Sequence, residues 1–193
     1  MKKLKVAFFG TPDFAVPSLE ILANHCEVEL VSVVSMPDRK SGRGMSIKSP
    51  EVIEYARAKK ISYFQSPNIN NEKSFLEDLR KKDLDVIIVL AFAQFLGNDI
   101  LSLPRLGCFN IHTSLLPKYR GAAPIQYALL NGDKTSGVSI QKMVKKMDAG
   151  DLALSSPIKL HVCETGGQLY TRLKFKAALC LNDFIYELNA GEL

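Results

Sequence analysis

Short apolar or β-rich runs alternate along the chain with segments in which apolar residues recur at helical spacing. Each run predicts a β-strand, and each spaced segment predicts an α-helix. The predicted strands cover residues 4–9, 28–34, 61–64, 85–91, 108–111, 136–143 and 152–160. The predicted helices cover residues 18–24, 50–59, 71–82, 98–103, 124–130 and 164–188. This alternation predicts an α/β fold: a doubly wound, mostly parallel sheet with helices on both faces.

Two of these strands carry patterns that predict how they are buried. The run Val-Ile-Ile-Val-Leu-Ala within residues 85–91 is continuously apolar, which is typical of a central parallel strand. Residues 136–143 instead alternate, with Val138 and Ile140 against Ser139 and Gln141, so we expect a half-buried strand there.

Composition adds only broad limits. The 193 residues suffice for one domain with a sizeable core. Lys and Arg number 25 against 20 Asp and Glu, a net charge of +5, which fits a polyanionic partner but also an ordinary solvated surface. The four cysteines show no Cys-x-x-Cys spacing, and no apolar run approaches a membrane span. We therefore expect a cytoplasmic protein without a metal site or a disulfide framework.

Polar or turn-forming residues lie at the ends of several predicted strands. In a doubly wound sheet, ligands bind outside the carboxyl ends of the strands, so these stretches are expected to converge on one edge. They are Gly10-Thr-Pro-Asp13, Phe92-Ala-Gln-Phe95, Asn110-Ile-His112 and Met147-Asp-Ala-Gly-Asp151.

Asn110 and His112 are two positions apart on one predicted strand, so their side chains point to the same side of the sheet. An amide and an imidazole placed in this way can hold one carbonyl oxygen from two directions. Asp148 can pair with His112 and set its protonation state, or pass a proton through a water. We predict that Asn110 and His112 stabilise the oxyanion formed when an amine attacks a carbonyl carbon, and that Asp148 assists through His112 or through a water.

Other candidate residues have weaker support. Cys108 shares the strand and the parity of His112, but four strand residues span about 13 Å, so we expect a small buried side chain rather than a nucleophile. Asp13 is equally consistent with a turn or cap and with a substrate role. His25 and His161 have no polar company and are expected at the surface.

Residues 35–50 form a long, polar and basic segment that contains two glycines. Its four cations are Arg39, Lys40, Arg43 and Lys48. Such a segment suits contact with a phosphate backbone and ordering on binding. A disordered, solvated loop is the alternative interpretation.

Three motifs in the sequence resemble those of the folate-dependent formyltransferase family. The run Asn110-x-His112-x-Ser114-Leu-Leu-Pro117 carries the resemblance most specifically, and Gly10-Thr-Pro-Asp-Phe14 and Arg120-Gly-Ala-Ala-Pro-Ile-Gln126 are similar to the branch that acts on methionyl-tRNA. The resemblance covers nearly the whole chain. It implies a Rossmann-like formyltransferase fold, with residues 1–189 as a catalytic domain. It also implies that residues 190–193 begin a linker to a C-terminal domain that this chain lacks.

The resemblance further implies formyl transfer from 10-formyltetrahydrofolate to the α-amino group of methionine on initiator tRNA, without a metal. We expect a monomer. The residues that would contact the folate are Ser114, Leu115, Leu116, Pro117, Gln94, Leu96 and Phe92, whereas Phe95 is expected in the core. The basic segment resembles the tRNA-inserting loop of the family, with Arg43 as the best candidate for insertion at the acceptor end.

Three rival functions remain to be weighed against this one. A nicotinamide dehydrogenase would carry a glycine fingerprint after the first strand, and here Gly10 stands alone before Thr-Pro-Asp. An N-formyltransferase acting on an amino-sugar nucleotide would use the same three polar residues. A non-catalytic RNA-binding module would have no need of them, and no aromatic stacking platform is visible.

Overall fold

The computed structural model describes residues 3–41 and 45–192. Its strands are β1 (Leu4–Gly10), β2 (Val28–Ser35), β3 (Arg39–Ser41), β4 (Ser46–Lys48), β5 (Tyr63–Gln65), β6 (Val86–Leu90), β7 (Gly107–His112), β8 (Thr135–Lys142) and β9 (Leu152–Lys159). Its α-helices are α1 (Val16–Asn24), α2 (Glu51–Ala58), α3 (Lys73–Lys81), α4 (Asn98–Leu101), α5 (Pro124–Leu130) and α6 (Gly166–Ala190).

Seven strands form one sheet in the order β5-β2-β1-β6-β7-β8-β9. The five strands from β5 to β7 run parallel, whereas β8 and β9 join antiparallel to their neighbours. The predicted doubly wound, mostly parallel sheet is therefore confirmed. The parallel strands all end at one edge, which is where such a fold places its ligand crevice.

Helices cover both faces of this sheet because the central strands are apolar on both sides. On one face Ile88 of β6 packs in a cluster with Leu19 of α1 and Leu173 of α6. On the other face Ile87 packs in a cluster with Leu79 of α3. Adjacent residues of one strand thus point into two separate cores, as the period of a strand requires.

Most predicted elements are present within two residues or so of their expected ends, and Thr165 caps α6 in a capping box with Gln168. Two expectations for strands are wrong. Residues Ser136 to Gln141 of β8 are buried on both faces, because α6 covers one side and the loops that carry Leu116 and Asp148 cover the other. The basic segment, expected as a loop, contains the antiparallel β3–β4 hairpin. No helix in the described part of the chain is long and apolar enough to cross a membrane.

Candidate active site

A cavity of about 790 Å³ lies beside the carboxyl ends of the parallel strands. Its size falls within the range of small-molecule sites. The structure brings all four polar stretches to its wall, which includes Pro12, the segment from Phe92 to Phe95, the segment from Asn110 to His112 and the segment from Met147 to Gly150. The predicted convergence of these stretches on one edge is therefore observed.

The segment that leaves β6 forms one wall and is braced from behind by Gln94. The Gln94 Nε2 atom donates to the Ser66 carbonyl oxygen at 2.7 Å, and its Oε1 accepts from the Ile69 N–H at 2.7 Å. Phe92 and Leu96 line the cavity but are almost fully buried. Phe95, in contrast, is 55% exposed and lines the cavity, so its expected place in the core is wrong.

Asn110 and His112 lie on β7 and both line the cavity, as the two-residue spacing predicts. The Asn110 side chain makes no hydrogen bond to any described residue, which leaves its NH₂ and carbonyl free for a ligand. His112 is 8% exposed, and its Nε2 lies 2.8 Å from the Tyr119 carbonyl oxygen. Because a carbonyl oxygen only accepts, Nε2 must carry a proton. In a neutral ring, Nδ1 is then the proton acceptor.

The Asp148 carboxylate is held by two donors on the cavity wall. Its Oδ2 accepts from the Gly121 N–H at 2.8 Å, and its Oδ1 accepts from Gln141 Nε2 at 2.7 Å. The expected direct pair of Asp148 with His112 is wrong. Within the described residues, 3–41 and 45–192, no hydrogen bond joins these two side chains. The carboxylate is instead fixed to the backbone and to an amide.

Gln141 is the site residue that sequence reasoning missed. It is 3% exposed, lies directly opposite Asn110 across the β7–β8 pair, and lines the cavity. The alternation of polar and apolar residues in β8 predicted that Gln141 faces solvent. Nothing in that pattern indicated the loop that covers it. A polar amide beside the apolar Val138 and Ile140 was the only available signal.

Asp148 is presented by the loop between β8 and β9, which folds back tightly on β8. A Cβ added to Gly150 would lie 1.6 Å from the Lys142 carbonyl oxygen, so only glycine permits this return. The Lys142 N–H also donates to the Asp151 carbonyl oxygen at 2.9 Å. These contacts constrain the conformation of the loop and therefore the position of Asp148.

Left-handed backbone conformations concentrate around the cavity. Nine non-glycine residues in the described ranges have positive φ, and five of them line the cavity or hold His112: Ala91, Ala93, Tyr119, Ala123 and Asp148. Each costs roughly 1–3 kcal/mol outside glycine and persists only where neighbouring contacts enforce it. The loops of this edge are accordingly held in strained shapes rather than relaxed ones.

The remaining candidates near the sheet have structural contacts. Cys108 is buried, and this burial raises the pKa of its thiol to about 12, so it is no thiolate nucleophile. Asp13 accepts from Tyr170 Oη at 2.5 Å and from Lys174 Nζ at 2.7 Å, which ties it to α6. His25 was expected at the surface but is buried against the Tyr186 ring, 4.6 Å between centroids.

Two predicted ligand segments lie outside the cavity wall. Ser114, Leu115, Leu116 and Pro117 are not among its lining residues, and the Ser114 hydroxyl donates to the Lys118 carbonyl oxygen at 2.6 Å. Their contact with folate stays a prediction. In the hairpin, Arg39, Lys40 and Lys48 are exposed, whereas Arg43 lies outside the described residues.

Comparison with known proteins identifies the family to which this architecture belongs. A family model described as formyl transferase matches residues 3–185. The chain belongs to the formyl transferase family. The methionyl-tRNA formyltransferase of Thermotoga maritima is 44% identical over 190 residues, which cover 98% of this chain and 60% of that relative. The one from Agathobacter rectalis is 45% identical over 181 residues, covering 92% and 57% respectively. The chain therefore spans less than two thirds of these curated relatives.

Solved structures with lower identity share the fold. The phosphoribosylglycinamide formyltransferase from Bacillus halodurans has a TM-score of 0.81 at 19% identity and covers 98% of this chain and 97% of its own. The formyltetrahydrofolate deformylase from Pseudomonas syringae pv. tomato has a TM-score of 0.78 at 18% identity. The match covers 99% of this chain and 62% of the deformylase chain. At these identities the likeness extends to the fold alone.

Proposed function

We propose that this chain is the catalytic part of an enzyme that transfers the formyl group of 10-formyltetrahydrofolate to the α-amino group of methionine on initiator tRNA. The observation that carries the proposal is the meeting of Asn110, His112 and Asp148 at one cavity in a member of the formyl transferase family. The relatives named methionyl-tRNA formyltransferase support the choice of acceptor.

Formyl transfer needs a hydrogen-bond donor to the oxyanion more than it needs a nucleophilic side chain. The attacking α-amine has an ordinary pKa of about 8, so much of it is neutral at physiological pH. When its nitrogen attacks, the carbonyl electrons move to the formyl oxygen. The unpaired NH₂ of Asn110 is the natural donor to that oxygen, and one such donor contributes on the order of 3 kcal/mol.

His112 is suited to moving the proton that the amine releases. With Nε2 held by the Tyr119 carbonyl, the neutral ring accepts a proton at Nδ1 and then donates it from the same atom. The recipient is either the oxyanion or the leaving folate nitrogen, whose bond to carbon breaks as the carbonyl re-forms. The ring would thus act as base and then as acid.

Asp148 would act on this transfer without a direct contact to His112. Its carboxylate has two fixed donors, Gly121 and Gln141, so its orientation is set before any ligand binds. A water between the carboxylate and the reacting nitrogen would carry a proton from one to the other. The negative charge would also stabilise the ammonium that forms on attack.

The cavity fits the folate half of the reaction. Its wall is mostly apolar, with a small number of polar groups at one side, which suits a flat heteroaromatic ring beside a reactive substituent. Exposed Phe95 offers an aromatic face to such a ring, while the backbone next to Phe92 and Leu96 offers polar groups. No metal enters this chemistry.

The β3–β4 hairpin is the proposed contact for the tRNA. Arg39 lies directly opposite Lys48, and the neighbouring Lys40 is also exposed. Three cations on so small an element suit phosphate contacts. Arg43 keeps its predicted role at the acceptor end, and a cytoplasmic monomer is the state in which we expect the reaction.

The test is to incubate the chain with 10-formyltetrahydrofolate labelled in its formyl carbon and, separately, with methionyl-tRNA or an amino-sugar nucleotide. We expect label on the methionine α-amine. Label only on the sugar would replace the acceptor but keep the chemistry. RNA binding without transfer to either acceptor would leave a non-catalytic module and contradict the proposal.

A further inference from the structure

The loop segment from Tyr119 to Gly121 binds both His112 and Asp148, although these two side chains make no hydrogen bond to each other. The Tyr119 carbonyl oxygen holds His112 Nε2 at 2.8 Å, and the Gly121 N–H holds Asp148 Oδ2 at 2.8 Å. These two backbone groups are only two residues apart. A shift of this short segment would therefore move both partners at once.

The segment is fastened on its outer side by Asp133. The Tyr119 hydroxyl donates to Asp133 Oδ2 at 2.8 Å, and Lys118 Nζ donates to Oδ1 at 2.6 Å. Asn131 Nδ2 donates to the Tyr119 hydroxyl at 2.8 Å and completes the cluster. The Asp133 side chain is only 13% exposed, whereas that of Lys118 is 58% exposed.

Asp133 is itself fixed by the end of α5. Gly132 adopts a left-handed conformation, with φ of 64°, and the Asp133 N–H donates to the Ala128 carbonyl oxygen at 3.0 Å. The Tyr119 and Tyr127 rings also stack, with centroids 6.3 Å apart. The cluster thus connects the loop to a helix, and neither Asp133 nor Tyr119 is part of the cavity wall.

We propose that Asp133 is a positioning residue for the reaction, which acts through the Tyr119 hydroxyl to hold the Tyr119 carbonyl and the Gly121 N–H against His112 and Asp148. Its catalytic consequence rests on the proposed function; its effect on the His112 ring does not. Tyr119 has positive φ, so without an outer anchor its backbone would relax away from this conformation. His112 would then lose the acceptor that fixes its tautomer.

The variants separate the anchor from its surroundings. Asp133→Leu removes both acceptor oxygens, and Tyr119→Phe removes the hydroxyl but keeps the ring and the carbonyl. Asp133→Asn keeps one acceptor for the hydroxyl and should rescue the effect. Lys118→Met removes the exposed ion pair and the contact of the ammonium with the Tyr119 ring, 5.1 Å to the centroid, but keeps the Tyr119–Asp133 hydrogen bond. It is the control, because such exposed charge contacts contribute little.

Two readouts test the proposal on these variants. We expect kcat to fall about 10-fold in Asp133→Leu and Tyr119→Phe, with KM for both substrates within about twofold, because misplaced catalytic groups slow the chemical step. In the nitrogen NMR spectrum of the His112 ring, we expect a single Nε2–H tautomer in the native chain and a mixture in these two variants. Asp133→Asn and Lys118→Met should match the native chain in both.

Native kcat in Asp133→Leu and Tyr119→Phe, or an unchanged His112 tautomer in both, would overturn the proposal. If Asp133→Leu does not fold, Tyr119→Phe decides alone. If the native chain transfers no formyl group, the proposed function fails, yet the NMR comparison still decides whether Asp133 holds the ring.

Discussion

The cavity and the β3–β4 hairpin both present polar side chains to a ligand, but they differ in what holds those side chains. At the cavity, His112 and Asp148 are bound to backbone groups of one strained loop, and Asp148 is also bound to the Gln141 amide on β8. On the hairpin, Arg39 and Lys48 lie directly opposite each other, so like charges repel. The hairpin is fastened near its base, where Asp38 accepts from Gln65 Nε2 at 2.7 Å.

This difference indicates two uses of polar residues. A site that performs chemistry benefits from groups already fixed in place, because reorganisation then costs nothing during the reaction. In a basic hairpin the cations repel one another, so binding an anion relieves this repulsion and lowers the free energy. Changes at the cavity should therefore lower kcat, and changes on the hairpin should weaken binding of the RNA.

The largest effect is expected for Asn110→Ala. Removing the amide donor should lower kcat about 100-fold to 1,000-fold, because the oxyanion loses a positioned hydrogen bond. Cys108→Ala is the matched control on the same strand, and it should keep kcat within about threefold, because the thiol takes no part. Steady-state kinetics measure both. Equal losses in the two variants would indicate damage to β7 rather than loss of a donor.

A smaller, pH-dependent effect is expected for Gln141→Glu. The new carboxyl group at residue 141 would lie within hydrogen-bond distance of the Asp148 carboxyl. The two groups share a proton at low pH and keep their contact, but they repel when both are ionised. Relative to the native chain, kcat should fall about 10-fold or more as the pH rises from about 5 to about 8. Gln141→Leu should be slower by a constant factor over that range. Parallel pH–rate profiles for all three chains would exclude a contact between residue 141 and Asp148 during catalysis.

On the hairpin, Arg39→Gln and Lys48→Gln should each raise KM for the tRNA several-fold at low salt without changing kcat. Each loss of a phosphate contact should reduce the slope of log affinity against log salt concentration by about 1. Lys73→Gln, which removes an exposed charge at the start of α3, is the control. A salt slope that is the same in all these chains would mean that the hairpin does not contact the RNA.

The smallest effect is expected for Asp13→Asn, which tests whether every carboxylate at this edge takes part in the reaction. Burial acts to raise the pKa of Asp13, but hydrogen bonds from Lys174 and Tyr170 outweigh it and lower the pKa. Its ionised form therefore stabilises the fold above its unfolded pKa, and this stabilisation is lost as the pH falls through the lowered value.

For this half-exposed group we expect less than about 1 kcal/mol of stability to be lost, with kcat within about threefold of native. Urea unfolding at several pH values measures the first quantity, and the difference between the two chains should shrink in acid. A tenfold fall in kcat would instead assign Asp13 to the substrate.

The period of the strands explains what could be predicted from the sequence. Strand periodicity put Asn110 and His112 on one face, and the crevice rule for parallel sheets brought Met147 to Gly150 toward them. Both inferences rest on local geometry that every strand obeys. The doubly wound sheet followed from the same alternation.

What could not be predicted depends on contacts between segments distant in the chain. Gln141 is buried only because the loop that carries Asp148 returns over β8, and His25 is buried only because the end of α6 covers it. Phe95 was expected inside, but the brace through Gln94 turns that segment outward. His112 and Asp148 likewise bind Tyr119 and Gly121 rather than each other, which no spacing in the sequence predicts.

The central claim, that Asn110 polarises the formyl carbonyl in the cavity, has a direct spectroscopic test. The infrared stretching frequency of an isotopically labelled formyl group would be measured for a non-transferable formyl-folate analogue, free and bound to the native chain. We predict a lower frequency on binding, and a return toward the free value in Asn110→Ala but not in Cys108→Ala. A bound frequency equal to the free one in the native chain would contradict the account.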